Sequence, residues 1–206
     1  ETPGLDWKRD ELLCTSFAGR EGEGFVVPIL HNSGDGELEV WPEWQRVGLK
    51  RVVAILKEIF GSATPKCGQN VLFDLRVLER AREDRYIEAL TAFGIKVKGP
   101  LKDTELMHTA IAESLPHSMT LLLGLYSDMP WYEEEVSRAT DGKKHMAKAP
   151  DEVLHYYSAA DADGLPRLEA AFMPTVRAEG VAWVLENVTY PLIRFCRNME
   201  ERGIPV

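Results

Sequence analysis

The chain has 206 residues, of which 45% are hydrophobic and 28% charged, the balance of an ordinary globular domain. No apolar run approaches the roughly 20 residues of a membrane helix, and the three cysteines lack metal-ligand spacing, so we expect buried, reduced thiols. The net charge of −9 argues against a protein that binds nucleic acid through a broad basic surface. It does not exclude an acidic protein that binds nucleic acid through divalent ions.

The first part of the chain predicts two paired strands and then a helix. Residues 11–18 and 24–30 are short apolar-rich runs typical of strands. Residues 31–36 are rich in Gly, Asn and Asp, which favour turns. Residues 44–60 carry apolar side chains at helical spacing, and Gly61 ends the run.

The middle of the chain alternates between strand and helix. We predict a short strand at 66–69, a helix at 71–81 with Asn70 as its N-cap, and another strand at 94–99. Such alternation after a hairpin indicates an α/β fold in which a mixed β-sheet is flanked by helices.

The second half of the chain predicts mainly helices. Residues 103–113 and 117–125 have helical patterns, while the polar stretch 128–150 favours a partly mobile loop with some helix. A long helix should start near residue 150, where a proline precedes two acids.

That long helix should carry Asp161, and Gly164 and Pro166 could break it before a helical stretch at 167–177. Residues 180–202 predict a further amphipathic helix.

Acidic residues in three separate segments are the candidate functional groups. Tyr157 and Asp161 are four residues apart, which places them on one face of a helix, about 5–6 Å apart at Cβ. Together with Glu1 and Asp74, Asp161 could form an oxygen-ligand site for hard cations. Only the fold could bring these residues together, so spacing alone does not establish a site.

At these residues the chain resembles the proofreading 3′→5′ exonuclease domain of family-A DNA polymerases, the DnaQ-like group with four acidic residues and a tyrosine. Glu1-Thr2 resembles the end of the first motif, Asp74 falls in the second, and Tyr157 with Asp161 in the third. The first motif's own Asp would lie two places before Glu1, outside the chain, so we expect the isolated chain to be nearly inactive.

The resemblance implies a ribonuclease H-like fold and a role for each matching residue. Glu1, Asp74 and Asp161 would hold two divalent metal ions, Mg²⁺ or Mn²⁺, and Tyr157 would position the attacking water. The residues that would contact the terminal nucleotide of the substrate are Thr2, Leu5, Asn70 and Phe73.

The function implied is removal of nucleotides from single-stranded DNA 3′ ends as 5′-mononucleotides, as proofreading for a covalently attached polymerase. The exonuclease domain would span 1–178, and 179–206 resembles the start of the polymerase domain. We expect a monomer in the cytoplasm of a bacterium or phage-infected cell, with no membrane association. Two alternatives are a catalytically silent scaffold and a ribonuclease of the same fold.

Other polar residues have weaker interpretations. Asp163 favours a solvated or capping role over metal binding, because it lies roughly 200° around the helix from Asp161. Basic residues of the polar stretch could contact DNA phosphates or simply be solvated; these are Arg138, Lys143 and Lys144. The histidines His108, His117 and His145 look too scattered for a metal cluster.

Overall fold

The computed structural model describes residues 1–6, 10–33, 37–79 and 94–203. Its strands are β1 (Cys14–Phe17), β2 (Phe25–Pro28), β3 (Leu30–Asn32), β4 (Leu38–Val40), β5 (Lys66–Gly68) and β6 (Leu101–Asp103). Its α-helices are α1 (Pro42–Val47), α2 (Leu49–Gly61), α3 (Val71–Glu79), α4 (Thr104–Ile111), α5 (Met119–Tyr126), α6 (Glu133–Ala139), α7 (Asp151–Ala178), α8 (Ala182–Val184) and α9 (Tyr190–Arg202). A 3₁₀ turn at Met146–Lys148 precedes α7, and a π-helical turn at Leu185–Thr189 joins α8 to α9.

The described strands pair in three two-stranded sheets, two antiparallel and one parallel. In the β1–β2 pair, Cys14 lies opposite Pro28 and Phe17 opposite Phe25, which confirms the predicted first hairpin. The hairpin formed by β3 and β4 was not predicted. The sequence predicted only a turn at 31–36, of which 34–36 lie outside the described residues. These elements confirm an α/β fold with antiparallel and parallel strands flanked by helices.

The predicted strand at 94–99 is wrong, although its burial does alternate. Ile95 and Val97 are buried, but the peptide groups bond to helix ends rather than to a strand. Ile95 N–H donates to Leu78 O in α3 (3.1 Å), and Lys98 N–H donates to Phe60 O in α2 (2.8 Å). The parallel partner of β5 is instead β6, immediately after this segment. Alternating burial therefore identified an extended segment but not its hydrogen-bond partners.

The predicted helix at 44–60 is two helices, α1 and α2, because Gly48 between them has φ of 87°. A residue in the left-handed region cannot continue an α-helix, and glycine adopts that conformation without steric cost. The predicted helices at 103–113 and 117–125 are confirmed as α4 and α5, and the polar stretch contains α6 and the 3₁₀ turn.

Helix α7 is unbroken over 28 residues, so the predicted interruption at Gly164 and Pro166 is wrong. The helix packs against α4, α5, β1 and β2, and this packing outweighs the local cost of proline. Gly164 serves that packing, because a Cβ there would lie only 2.8 Å from Leu123 Cδ1 and from Met119 Cε in α5.

A second close approach fixes α7 against the first hairpin. A Cβ on Gly24 would lie 2.4 Å from the Ala159 carbonyl oxygen, so only glycine lets the chain before β2 come this near to the helix. Cys14 Sγ also donates to Ser158 Oγ at 3.5 Å. The turn of α7 between Tyr157 and Asp161 is thereby held against β1 and β2.

The hydrophobic core lies between α7 and the strands and helices on either side of it. Its largest fully buried side chains include Leu13, Ile29, Leu56, Leu75, Met107, Leu122, Leu168 and Phe172. Leu185, Tyr190 and Ile193 belong to the same core, so the segment after α7 packs onto it. None of the helices in the described ranges has the length and hydrophobicity needed to cross a bilayer.

Candidate active site

Glu1 is held beside the first hairpin by backbone hydrogen bonds. Its amino group donates to Cys14 O (2.6 Å), and its carbonyl oxygen accepts from Leu13 N–H (2.9 Å). Further along, Met146 N–H donates to Pro3 O (3.1 Å), which ties this segment to the 3₁₀ turn before α7. Residue 1 therefore lies in an extended segment along β1.

Asp74 lies in the first turn of α3, directly after β5. A Cβ on Gly68, the last residue of β5, would come within 3.5 Å of Asp74 Oδ2 and 2.5 Å of Val71 Cγ2. The absence of a side chain at Gly68 thus lets α3 start close to the strand. The Asp74 side chain remains open to solvent although many protein atoms surround it, as expected for a carboxylate in a cleft.

Asp161 lies on α7 between two tyrosine hydroxyls. Tyr132, just before α6, donates its hydroxyl to Asp161 Oδ1 at 2.5 Å. Tyr157 lies one helical turn before Asp161 on α7, and its hydroxyl lowers the pKa of this carboxyl group. The two phenol rings lie 5.9 Å apart between centroids. Tyr157 and Asp161 therefore lie one turn apart on α7, as expected, and Tyr132 adds a second hydroxyl that sequence reasoning missed.

The three carboxyl groups are within electrostatic range of one another. Burial among protein atoms, together with the charges of Glu1, Asp103 and Asp161, raises the pKa of Asp74 to about 7, although the amino group of Glu1 lowers it. Burial and the charge of Glu1 likewise raise the pKa of Asp161, while both tyrosine hydroxyls act in the opposite direction. Water screens part of the effect at Asp74, which solvent reaches. Residues 1, 74 and 161 thus face a common region of the molecule.

Lys143 supplies a positive charge next to this region. Its ammonium donates to Glu133 Oε1 (2.5 Å) and to the Tyr157 hydroxyl oxygen (3.3 Å), and lies 5.0 Å from the centroid of the Tyr157 ring. Lys143 is thus partly shielded and paired rather than freely solvated, and contact with a DNA phosphate stays a prediction. Arg138 and Lys144, by contrast, are exposed and pair with Glu134 and Asp141.

The donor set suits hard divalent cations, which prefer carboxylate oxygens. Ionised carboxylates that face one another repel, which contributes to their raised pKa values. A bound cation offsets this repulsion. The described residues contain no ready-made group of three or more His, Cys, Asp or Glu side chains spaced to hold a metal ion. The fit is therefore one of donor chemistry and charge rather than of finished coordination geometry.

The residues expected to contact substrate fall on two segments beside the carboxylates. Thr2 is buried and donates its hydroxyl to Gly4 O (2.7 Å), whereas the Leu5 side chain is 87% exposed and free to contact an apolar surface. Asn70 is exposed with φ of 55°, and its carbonyl oxygen accepts from the N–H of the half-buried Phe73 (2.9 Å). One pair thus adjoins Glu1 and the other adjoins Asp74.

Asp103 is a buried acidic residue that lies at the starts of two helices. Its carboxylate caps α4 by accepting from the N–H groups of Glu105 (2.9 Å) and Leu106 (3.3 Å). It also accepts from Asn70 N–H (3.3 Å) and Val71 N–H (2.8 Å) at the start of α3. The capping group of α3 is therefore Asp103 rather than the Asn70 side chain, and it joins two helices.

Asp163 is neither solvated nor part of the carboxylate site. Its Oδ1 accepts from Gly22 N–H at 2.5 Å, which fixes the turn between β1 and β2. Its Oδ2 pairs with Arg167 (3.1 Å), which also bonds to Glu21 and Asp128. Of the two predicted roles of Asp163, solvated or capping, the capping role is closer to the observed one. The residue caps the turn between β1 and β2 instead of a helix.

Two of the histidines are not scattered. His108 and His117 face each other with Nδ1 atoms 2.7 Å apart, and Tyr126 Oη lies 3.3 Å from His108 Nε2. Burial lowers the pKa of His108, and so does His117. The cysteine expectation also needs correction, because all three are free but Cys196 is exposed.

A comparison with protein families identifies the family of the chain. A family model described as 3′-5′ exonuclease matches residues 1–177, a span that includes the three carboxylates and Tyr157. No curated protein matches the chain at a significant level.

Proposed function

The chain belongs to the 3′-5′ exonuclease family, and on this premise we propose that it removes nucleotides from single-stranded DNA 3′ ends in a metal-dependent reaction. The products would be 5′-mononucleotides. The observation that carries the proposal is the convergence of Glu1, Asp74 and Asp161, with Asp161 bonded to the Tyr132 hydroxyl and one helical turn from Tyr157.

Each group has a task in this reaction. Two divalent cations bound by Glu1, Asp74 and Asp161 would supply a water of lowered pKa and stabilise the departing 3′ oxygen. Tyr157 would orient the attacking water through its hydroxyl, while Tyr132 holds the Asp161 carboxylate in place. A fixed geometry of this kind contributes to catalysis because the reacting groups need no further ordering.

The substrate residues would hold the 3′-terminal nucleotide beside the carboxylates. Leu5 offers an exposed apolar side chain and Phe73 a half-buried ring against which a base can pack. Thr2 and Asn70 would supply polar contacts to the same nucleotide. A frayed 3′ end would reach the site more readily than a paired one, since melting lowers the cost of entry.

We further propose that the activity serves as proofreading for a covalently attached DNA polymerase, beginning in 179–206, in a monomer of the cytoplasm of a bacterium or phage-infected cell. The predicted boundary falls where α7 ends at Ala178, before Gly180 with φ of 70°.

The test replaces Asp161 by Ala in the natural polypeptide that carries this chain, with Asp163→Ala, two residues along the same helix, as control. Degradation of a labelled single-stranded DNA in Mg²⁺ should fall for Asp161→Ala by on the order of 100-fold or more, since even outer ligands of a metal contribute 10–100-fold. Asp163→Ala should degrade the DNA at the parent rate at a temperature where both proteins are folded.

The same assay separates the alternatives. An unchanged rate for Asp161→Ala would favour the silent scaffold. Faster degradation of an RNA strand of the same sequence would favour a ribonuclease. Analysis of the released products checks for 5′-mononucleotides.

A further inference from the structure

Lys143 contacts the candidate active site but has no role in the proposed reaction. Its ammonium bonds to Glu133 Oε1 and to the Tyr157 hydroxyl oxygen and lies over the Tyr157 ring. Its side chain is 32% exposed, against 71% for the neighbouring Lys144. Lys143 is therefore directed into the protein, and Lys144 into solvent.

The backbone at Lys143 is held in an unfavourable conformation. Its φ is 68°, in the left-handed region that costs about 1–2 kcal/mol for a residue with a Cβ. The buried Thr140 holds the turn, because its hydroxyl oxygen accepts from Lys143 N–H at 3.0 Å. Strain of this kind persists where the surroundings fix it, and it is common at functional sites.

The chemistry of the donors sets the direction of the hydrogen bonds. A lysine ammonium can only donate, so the Tyr157 oxygen accepts from Lys143. The Tyr157 proton then remains available for the Asp161 carboxyl group, which lies one turn along the same helix. Glu133 in turn accepts from the ammonium and keeps it in place.

We propose that Lys143 is a positioning residue of the exonuclease site, which fixes the Tyr157 hydroxyl in the orientation that donates to Asp161. Glu133 anchors Lys143 in this arrangement. The proposal rests on the exonuclease function proposed above and adds to it a residue that acts through Tyr157 rather than on the DNA.

The first measurement is steady-state degradation of single-stranded DNA by Lys143→Met and Lys143→Arg in the natural polypeptide. For Lys143→Met we expect kcat to fall on the order of 10–100-fold, the range for groups that orient an active-site ligand, with KM unchanged within about twofold. Lys143→Arg keeps the donors and should recover part of kcat. A raised KM with unchanged kcat would instead identify a DNA phosphate contact and overturn the proposal.

The second measurement needs neither metal nor DNA. With the six tyrosines replaced by 3-fluorotyrosine, the ¹⁹F resonance of Tyr157 is assigned by its loss in Tyr157→Phe. Lys143→Met should shift this resonance and Lys144→Met should leave it in place. If Lys143→Met does not fold, Glu133→Gln, which removes only the anchor, should shift the same resonance. An unmoved resonance would overturn the proposal.

Failure of this inference is distinguishable from failure of the function. If Asp161→Ala abolishes degradation while Lys143→Met keeps both the parent kcat and the parent resonance, only the role of Lys143 is refuted. If Asp161→Ala degrades DNA at the parent rate, the proposed function itself is refuted.

Discussion

Asp103 and Asp161 are two aspartates with reduced access to solvent, and their hydrogen-bond partners differ in kind. Asp103 accepts from four backbone N–H groups at the starts of α3 and α4. Asp161 accepts from the Tyr132 hydroxyl, lies near that of Tyr157 and faces the charge of Glu1. Backbone amides cannot be moved without moving helices, whereas hydroxyls can reorient around a ligand.

The comparison shows that residue type and burial do not separate a structural acid from a functional one. Burial raises the pKa of both carboxyl groups. The two carboxyl groups differ in their surroundings. Backbone amides lower the pKa of Asp103, whereas tyrosine hydroxyls lower the pKa of Asp161 and the nearby carboxylate of Glu1 raises it. A carboxylate satisfied by fixed amides stabilises the fold, and one surrounded by other acids is suited to bind a cation.

The largest effect on stability should come from Asp103→Ala. Each N-cap is worth typically about 1 kcal/mol, and the residue caps two helices, so we expect the free energy of unfolding to fall by about 2–4 kcal/mol. Urea denaturation followed by circular dichroism measures it. Asp161→Ala should leave that free energy within about 1 kcal/mol of the parent; equal losses in both variants would remove the distinction drawn here.

A second prediction concerns pH and added metal. The folded-state pKa of Asp74 is raised to about 7 from 3.8, so the folded state holds its proton more tightly than the unfolded state. The contribution of Asp74 to stability is therefore lost as pH rises from about 4 through 7 without metal. Mg²⁺ should raise the melting temperature at pH 8 more than at pH 5, because it binds the ionised form.

The matched variants for this measurement are Asp74→Asn and Asp103→Asn, compared by thermal melts with Mg²⁺ or with a chelator. Asp74→Asn should lose most of the Mg²⁺ response at pH 8, whereas Asp103→Asn, though less stable, should retain it. A response that survives in Asp74→Asn and disappears in Asp103→Asn would reverse the assignment of the two acids.

The smallest effect should come from Glu200→Gln, which tests an acid of a third kind. Glu200 pairs with Arg76 between α9 and α3, and its side chain is 37% exposed. Such surface pairs contribute about 0–1 kcal/mol, so stability should change by less than about 1 kcal/mol and DNA degradation should be unaffected. Both are measured in the same denaturation and degradation assays.

The sequence predicted the elements that local pattern controls. The first hairpin and α4 and α5 follow from apolar spacing and from residues that favour turns and caps. The candidate site acids Glu1, Asp74 and Asp161 were proposed from the family resemblance, since their separation along the chain carries no distance information.

The features that could not be predicted depend on partners distant in sequence. Asp103 caps α4 through residues next to it in sequence, but its bond to Val71 spans 32 residues. Tyr132 and Lys143 lie in a polar stretch without periodicity, and only the fold brings them to α7. The predicted break in α7 failed for a related reason, because the packing of Gly164 against α5 is not a local property.

Because α7 is unbroken, it connects the turn that carries Tyr157 and Asp161 to Ala178 through one continuous helix. Tyr157 and Asp161 lie near one end of this helix and Ala178 is at the other, about 25 Å from Asp161 at 1.5 Å per residue. The turn between Tyr157 and Asp161 is held against β1 and β2, so it would act as the fixed point for any tilt imposed at Ala178. Such a tilt would move the Ala178 end of the helix while Tyr157 and Asp161 keep their distance from each other and from Asp74 on α3.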